Sequence, residues 1–186
     1  MDTHDAIRTR RTVKAFQPQP VDQPVLDELL ELARWAPNHH LTNPWRFRVL
    51  GPRSLERLKE AAADIASADC PEGADVAEVR RAAAAKLDRA PTLVVCSVVR
   101  SAEPAEREED RDAAACAAYI VLLAAHARGL AGYWRTPGVL RAQAGREAVG
   151  LPDGEDFVGL LHLGRALQDM PPPERAEPGG YVTYLD

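Results

Sequence analysis

Residues 106–128, Glu-Arg-Glu-Glu-Asp-Arg-Asp-Ala-Ala-Ala-Cys-Ala-Ala-Tyr-Ile-Val-Leu-Leu-Ala-Ala-His-Ala-Arg, decide how the rest of the chain must be arranged. The run opens on acids and closes on Arg128 before Gly129. A helix dipole favours that order of charge, and a helix C-terminus favours that glycine. The acid pair Glu108 and Glu109 reads as helix-start charge. Between the two ends, 113–125 is apolar on almost every face. A helix apolar all round is buried, either in its own core or against a second chain.

Working outward, Pro91 opens 92–99, a continuous apolar run of strand length that reads as a strand covered on both faces. Downstream, 131–135 reads as a short strand, 138–149 as a short helix and 157–164 as another buried strand. Upstream, Trp45, Phe47 and Val49 alternate with Arg46 and Arg48, the pattern of a half-buried strand. Val25, Leu26, Leu29, Leu30, Leu32, Ala33 and Ala36 recur at helical spacing, with Asp22 as the expected N-cap and Pro24 in the first turn. Helices are also predicted over 55–68 and 76–87, and a short amphipathic one over 1–11. Loops are expected at 16–24, 38–43 and 69–74. The tail 170–180 is rich in Pro, Gly and charge and ends in the apolar 181–185, an arm suited to docking elsewhere, as on another subunit. This alternation of helices and strands indicates α+β or α/β. A chain of 186 residues suggests one domain over 1–186, able to bury about 70% of its unfolded surface without disulfide or metal.

Composition narrows the function. Net charge is −5 and pI about 5.6, which argues against a nucleic-acid binder that relies on broad phosphate attraction. Cys70, Cys96 and Cys116 are odd in number and form no C-x-x-C, so neither a disulfide framework nor a zinc site is indicated. No run reaches the ~18 uninterrupted apolar residues of a membrane span, and the charged first residues do not resemble a signal peptide, so the cytoplasm is the expected location. There is no G-x-G-x-x-G, no Walker loop and no G-x-S-x-G.

Three stretches hold residues suited to a ligand. Arg10-Arg11-Thr12 sets two guanidiniums and a hydroxyl at a helix end, where they can clamp a phosphate or simply answer the helix dipole. Residues 36–47, Ala-Pro-Asn-His-His-Leu-Thr-Asn-Pro-Trp-Arg-Phe, place amide and imidazole groups beside an apolar wall, a mixture suited to a flat heteroaromatic ring. The alternative is an ordinary connection with exposed histidines; His39 and His40 lack a third metal ligand at supporting spacing. Tyr133-Trp134-Arg135-Thr136 offers a stacking ring, a charge and a possible N-cap, or else a plain strand-to-helix turn with one snorkelling arginine.

The three stretches, in this order and spacing, resemble the nitroreductase family, particularly its short members. The matching pieces are Arg10-Arg11-Thr12, then Ala36-Pro37-x-His39 with Pro44-Trp45-Arg46-Phe47, then Gly132-x-Trp134-Arg135-Thr136. The resemblance implies an α+β fold with a central mixed or antiparallel sheet flanked by helices. It also implies an interlocked homodimer sharing two FMN sites. Arg10, Arg11 and Thr12 would hold the phosphate and ribityl chain, and Trp134, Arg135 and Thr136 would line the same site. Trp35 and His39 would reach it from the other chain. The stretch Ala124, Ala125, His126, Ala127, Arg128 and Gly129 matches the one associated with the nicotinamide nucleotide. Trp35 stands where close relatives carry Arg, and Thr12 where the family has Ser. The implied activity is ping-pong hydride transfer from NAD(P)H to a nitroaromatic, quinone or similar acceptor, with no catalytic side chain beyond the flavin. Rival readings are a specialised flavoprotein of the same fold, with dehydrogenase or dehalogenase chemistry, and a cofactor-free binding module.

Overall fold

The computed structural model describes residues 1–171 and 174–185. Its elements run α1 (Thr3–Thr9), α2 (Gln23–Ala33), β1 (Trp45–Val49), α3 (Pro52–Ala68), α4 (Val76–Ala85), β2 (Thr92–Val99), α5 (Pro104–Ala127), β3 (Ala131–Arg135), α6 (Gln143–Ala148) and β4 (Glu155–Gly164). The four strands form one antiparallel sheet in the order β1-β2-β4-β3. The fold is therefore α+β, and the sheet is antiparallel between all its strands.

Both faces of the sheet are covered, which is why β2 and β4 are apolar without alternation. On one face Val94, Cys96 and Val98 of β2 and Leu161 and Leu163 of β4 pack against α2 and α5. On the other, Leu93 and Val95 with Leu160 pack against Leu58 and Ala61 of α3 and Ala148 of α6. A bulge between Cys96 and Ser97 shifts the β2–β4 register. Helix α5 buries Ala113, Ala114, Ala117, Ala118, Val121, Leu122 and Ala125 in the first of these cores. Its far side is not covered by the chain itself: Cys116 and Tyr119 are exposed there. Close packing at Gly132 tightens α5 onto β3, since a Cβ at that position would lie 2.5 Å from a methyl of Leu122. Among the described residues no helix is long and apolar enough to cross a membrane.

Several local expectations are corrected. In β1, Arg48 is drawn in and Val49 is exposed, the reverse of simple alternation. Arg48 is held by a two-pronged ion pair with Glu155 (2.7 and 2.9 Å), whose carboxylate also accepts from Ser97 at 2.5 Å. Paired and hydrogen-bonded in this way, a charge tolerates burial. The helix expected over 138–149 is broken at Ala142, whose extended backbone (φ −83, ψ 148) separates a 3-10 turn, Gly138–Arg141, from α6. Gly145 permits that fold-back, because a Cβ there would sit 1.9 Å from the Val139 carbonyl oxygen. Asp22 occupies the N-cap of α2 without a side-chain bond to it. The arm expected over 171–186 contains one short 3-10 turn, Pro178–Gly180, and an exposed Tyr181, Tyr184 and Leu185; residues 172, 173 and 186 lie outside the described residues.

One polar group sits deep in the sheet. His162 of β4 has 0% exposure, its ring is 5.2 Å from that of Tyr133, and neither ring nitrogen has a partner among the described residues. Burial first, and then the Arg135 and Arg89 charges, push its pKa down from 6.5 to about 4. The unfolded chain therefore takes up this proton at a higher pH than the folded one does. Stability should fall as pH drops from about 6.5 towards 4, by on the order of 3 kcal/mol for this group. His162→Leu should flatten that part of the profile. Urea unfolding of both proteins at pH 7.5 and 5 measures it, and equal losses would assign the acid sensitivity elsewhere.

Candidate functional site

Arg10, Arg11 and Thr12 leave α1 and run along the free edge of β3. Thr12 bridges Gly132 in parallel, and the Val13 N–H donates to the Gly132 carbonyl at 3.2 Å. The Arg10 guanidinium lies over the Tyr119 ring of α5, 5.8 Å from its centroid. Arg11 folds back to donate to the carbonyls of Arg8 (2.6 Å) and Arg10 (2.8 Å). The Nε–H of both arginines is buried and has no partner among the described residues. An orphaned buried donor costs about 1–3 kcal/mol, so two side by side mark a place where an anion would be stabilised.

That place opens into a cleft of about 320 Å³ lined by Thr9, Arg11, His126, Gly129, Ala131 and Asp169, among others. His126 Nε2 lies 2.7 Å from the Thr9 hydroxyl. Burial, then the Arg10 and Arg11 charges, hold His126 below the ordinary histidine range, so both arginines are felt at this ring. Of the stretch Ala124 to Gly129, His126 and Gly129 face this cleft, while Ala124 and Ala127 line an apolar surface beside it and Arg128 turns away to pair with Glu28. The chain turns there because Gly129 is left-handed, φ 74.

The other end of β3 carries Arg135, which donates to the Lys86 carbonyl at 3.1 Å across a cleft of about 240 Å³. Lys86, Leu87 and Ile65 from α3 and the end of α4 face Pro137 and Val139 there. Lys86 was not singled out by sequence; its only signal was being one of few lysines. Trp134 differs from the expected stacking surface: its indole turns into the α5-side core and donates to the Val158 carbonyl at 3.4 Å. It lies flat on Gly159, where a Cβ would fall 2.2 Å from Nε1. Thr136 is exposed, and Pro137, not Thr136, takes the cap of the following turn.

His39 lies apart from these groups, whereas Trp35 shares the apolar surface of Ala124 and Ala127. Trp35 is 72% exposed, donates to Glu31 at 3.3 Å, and belongs to an apolar surface with Leu32, Ile120 and Leu123. His39 sits against the front half of α5, its Nδ1 2.6 Å from Glu109 Oε2. Glu109 is thus more than helix-start charge. Three non-glycine residues of this loop are left-handed: His40 (φ 53), Leu41 (φ 54) and Asn43 (φ 47). The loop is held down at a second point by Thr42, which donates to the buried Asp110 at 2.5 Å.

The chain thus combines an α+β fold with two buried arginine donors, at the edge of its sheet, that have no partner among the described residues. The chain belongs to the nitroreductase family, a family of oxidoreductases, whose description it matches over residues 7–165. It is 31% identical over 163 residues to the "Putative NAD(P)H nitroreductase YfhC" of Bacillus subtilis, covering 86% of this chain and 82% of that protein. The crystal structure of a nitroreductase-like family protein from Bacillus cereus superposes with a TM-score of 0.86 at 25% identity, covering 100% of this chain and 97% of that one. An FMN and NADPH-dependent nitroreductase, NfnB from Sphigopyxis sp. strain HMH, shares the fold at a TM-score of 0.80 and 17% identity, over 100% of both chains.

Leu41 gives a direct test of the strained loop. It is 77% exposed, so its side chain contributes little packing, while a left-handed non-glycine costs about 1–2 kcal/mol. Glycine gives back part of that through added freedom of the unfolded chain, about 0.5–1 kcal/mol. Leu41→Gly should therefore raise stability by roughly 0.5 kcal/mol, read as a higher urea midpoint. A lower midpoint would show that the Leu41 side chain itself anchors the loop.

Proposed function

We propose that this protein is an FMN-dependent oxidoreductase, working as a homodimer, that passes a hydride from NAD(P)H to an oxidised organic acceptor such as a nitroaromatic or a quinone, in a ping-pong cycle. The observation that carries this reading is the pair of buried guanidinium N–H donors of Arg10 and Arg11 that have no partner among the described residues, with Arg11 on the wall of a cleft beside His126. A phosphate satisfies such donors, and the family together with the FMN dependence of NfnB makes FMN the phosphate-bearing group to expect.

Arg10, Arg11 and the Thr12 hydroxyl would hold the phosphate and ribityl chain. The Trp134-Arg135-Thr136 segment would line the ring end, with Lys86 adding a second cation beside Arg135. With its indole in the core, Trp134 would contribute backbone. Of the stretch Ala124 to Gly129, His126 and Gly129, which face the cleft, would meet the nicotinamide nucleotide. When bound, the flavin supplies the hydride chemistry, accepting and releasing it at one place. The protein's part is to bind, orient and bias charge, and it needs no nucleophile for that.

A dimer is supported by where the residues of the proposed site lie on α5. His39 is tied to Glu109, whereas Arg10 and Thr9 meet Tyr119 and His126. Ten to seventeen residues of helix separate the two sets, about 15–25 Å. One chain cannot bring them together. Two copies crossing antiparallel near Cys116 and Tyr119 would carry each His39 towards the other copy's arginines and cover the apolar surface around Trp35. The 171–186 arm would dock on the partner.

The purified protein should be yellow or become so with FMN, and should oxidise NAD(P)H with nitrofurazone or menadione. Arg10→Ala should weaken FMN by more than about 1.5 kcal/mol, the loss expected for a charge-assisted bond, as read by fluorescence titration. Unchanged affinity would remove Arg10 from the phosphate site. A colourless protein that cannot take up FMN would overturn the whole reading. In a Cys70→Ser background, a short bis-maleimide should join two chains through Cys116 at low protein concentration; a chain that stays single under these conditions excludes the proposed crossing.

A further inference from the structure

The loop carrying His39 is clamped in a way that serves the imidazole more than the fold. Glu109 holds the ring by Nδ1 at 2.6 Å. The His40 ring stacks on one face, with centroids 3.9 Å apart and planes 16° from parallel. His40 can do so because its backbone is left-handed, as are those of Leu41 and Asn43 further along the loop. Each such residue costs on the order of 1–3 kcal/mol and persists only where the surroundings over-determine it. Here the surroundings are Glu109 and Asp110, adjacent on α5, one fixing His39 and the other Thr42. Yet His39 and Glu109 both remain at least half exposed, so the pair does not fill a core.

An ionised carboxylate can only accept hydrogen bonds. With an ionised Glu109 the proton between the pair belongs to Nδ1, and a neutral ring then has its lone pair on Nε2, on the side away from Glu109. We propose that Glu109 is a positioning residue that fixes His39 in the Nδ1–H tautomer and turns a hydrogen-bond-accepting Nε2 towards the flavin site of the second copy. The partner group such a nitrogen reads is a donor N–H on the edge of a bound heteroaromatic ring. The opposite tautomer would instead present N–H to the ring's carbonyl edge, so Glu109 selects which edge is read. This rests on the reading above, in which His39 of one chain meets the flavin held by the other.

Two measurements separate the possibilities. Long-range nitrogen-15 spectra of the flavin-free protein at alkaline pH should show His39 with Nδ1 protonated and Nε2 bare. Glu109→Ala should return the ring to the Nε2–H form that free imidazole side chains prefer, and Glu108→Gln should leave it as it was. Unchanged ring shifts in Glu109→Ala would overturn the proposal. In fluorescence titrations with FMN, Glu109→Ala and His39→Ala should each weaken binding by about tenfold, and the double variant no further, because one acts through the other. Fully additive losses, or a fall in thermal stability with FMN affinity intact, would reduce Glu109 to a loop staple and reject the proposal. If the wild-type protein binds no FMN, the flavin reading fails by itself, while the ring-nitrogen spectra still decide whether Glu109 sets the tautomer.

Discussion

Helix α5 has to bury one face in its own sheet, and the rest of the structure depends on that constraint. Its alanine-rich inner face lets the helix settle close to β2, β3 and β4, where Leu122 and Gly132 nearly touch. Twenty-four residues long, it reaches about 36 Å from end to end, more than the sheet beneath it needs. Each end therefore holds something else. The acidic front half holds the His39 loop; the last turn, closed by Gly129, holds α1 and the arginine pair.

The charges along the edge of the sheet follow from the same packing. Strand β3 is an edge strand, and an edge leaves backbone groups unpaired. Residues 12–17 cover it: Thr12 and Val13 pair with Gly132, and Phe16 and Gln17 pair with the segment just after β4. Covering the edge pins Arg10 and Arg11 between α5 and β3, where their Nε–H groups lose water and gain no protein acceptor. A cationic helix end thus carries buried donors because the edge had to be closed there. The nearby His126, held below the ordinary histidine range by burial and by both arginines, shows that the charge is felt across the cleft.

Polar groups elsewhere are treated in two ways. Arg48, Glu155 and Ser97 satisfy one another fully and bridge β1, β2 and β4. His162 is left neutral and unpartnered in the sheet, and the left-handed residues of the 38–43 loop are left strained. The first arrangement secures the sheet. The second and third concentrate unfavourable free energy beside β3 and beside the front of α5, the two regions that hold the proposed ligand residues.

Periodicity and capping chemistry were enough to place α5 and the twice-covered strands β2 and β4, because each is set by near neighbours in the chain: apolar spacing, prolines in first turns, Gly129 at a helix end. Arg10-Arg11-Thr12 was visible for the same reason. The partners of the site residues were not. Arg135 meets Lys86 across 49 residues, His39 meets Glu109 across 70, and Arg48 meets Glu155 across 107. No local pattern encodes such pairs; they exist only once the sheet order and the seat of α5 are fixed. The turning of Trp134 into the core was equally a tertiary decision. Residue alternation gives the face of a strand a side chain takes, but only the bare surface of Gly159 on the neighbouring strand made room for an indole.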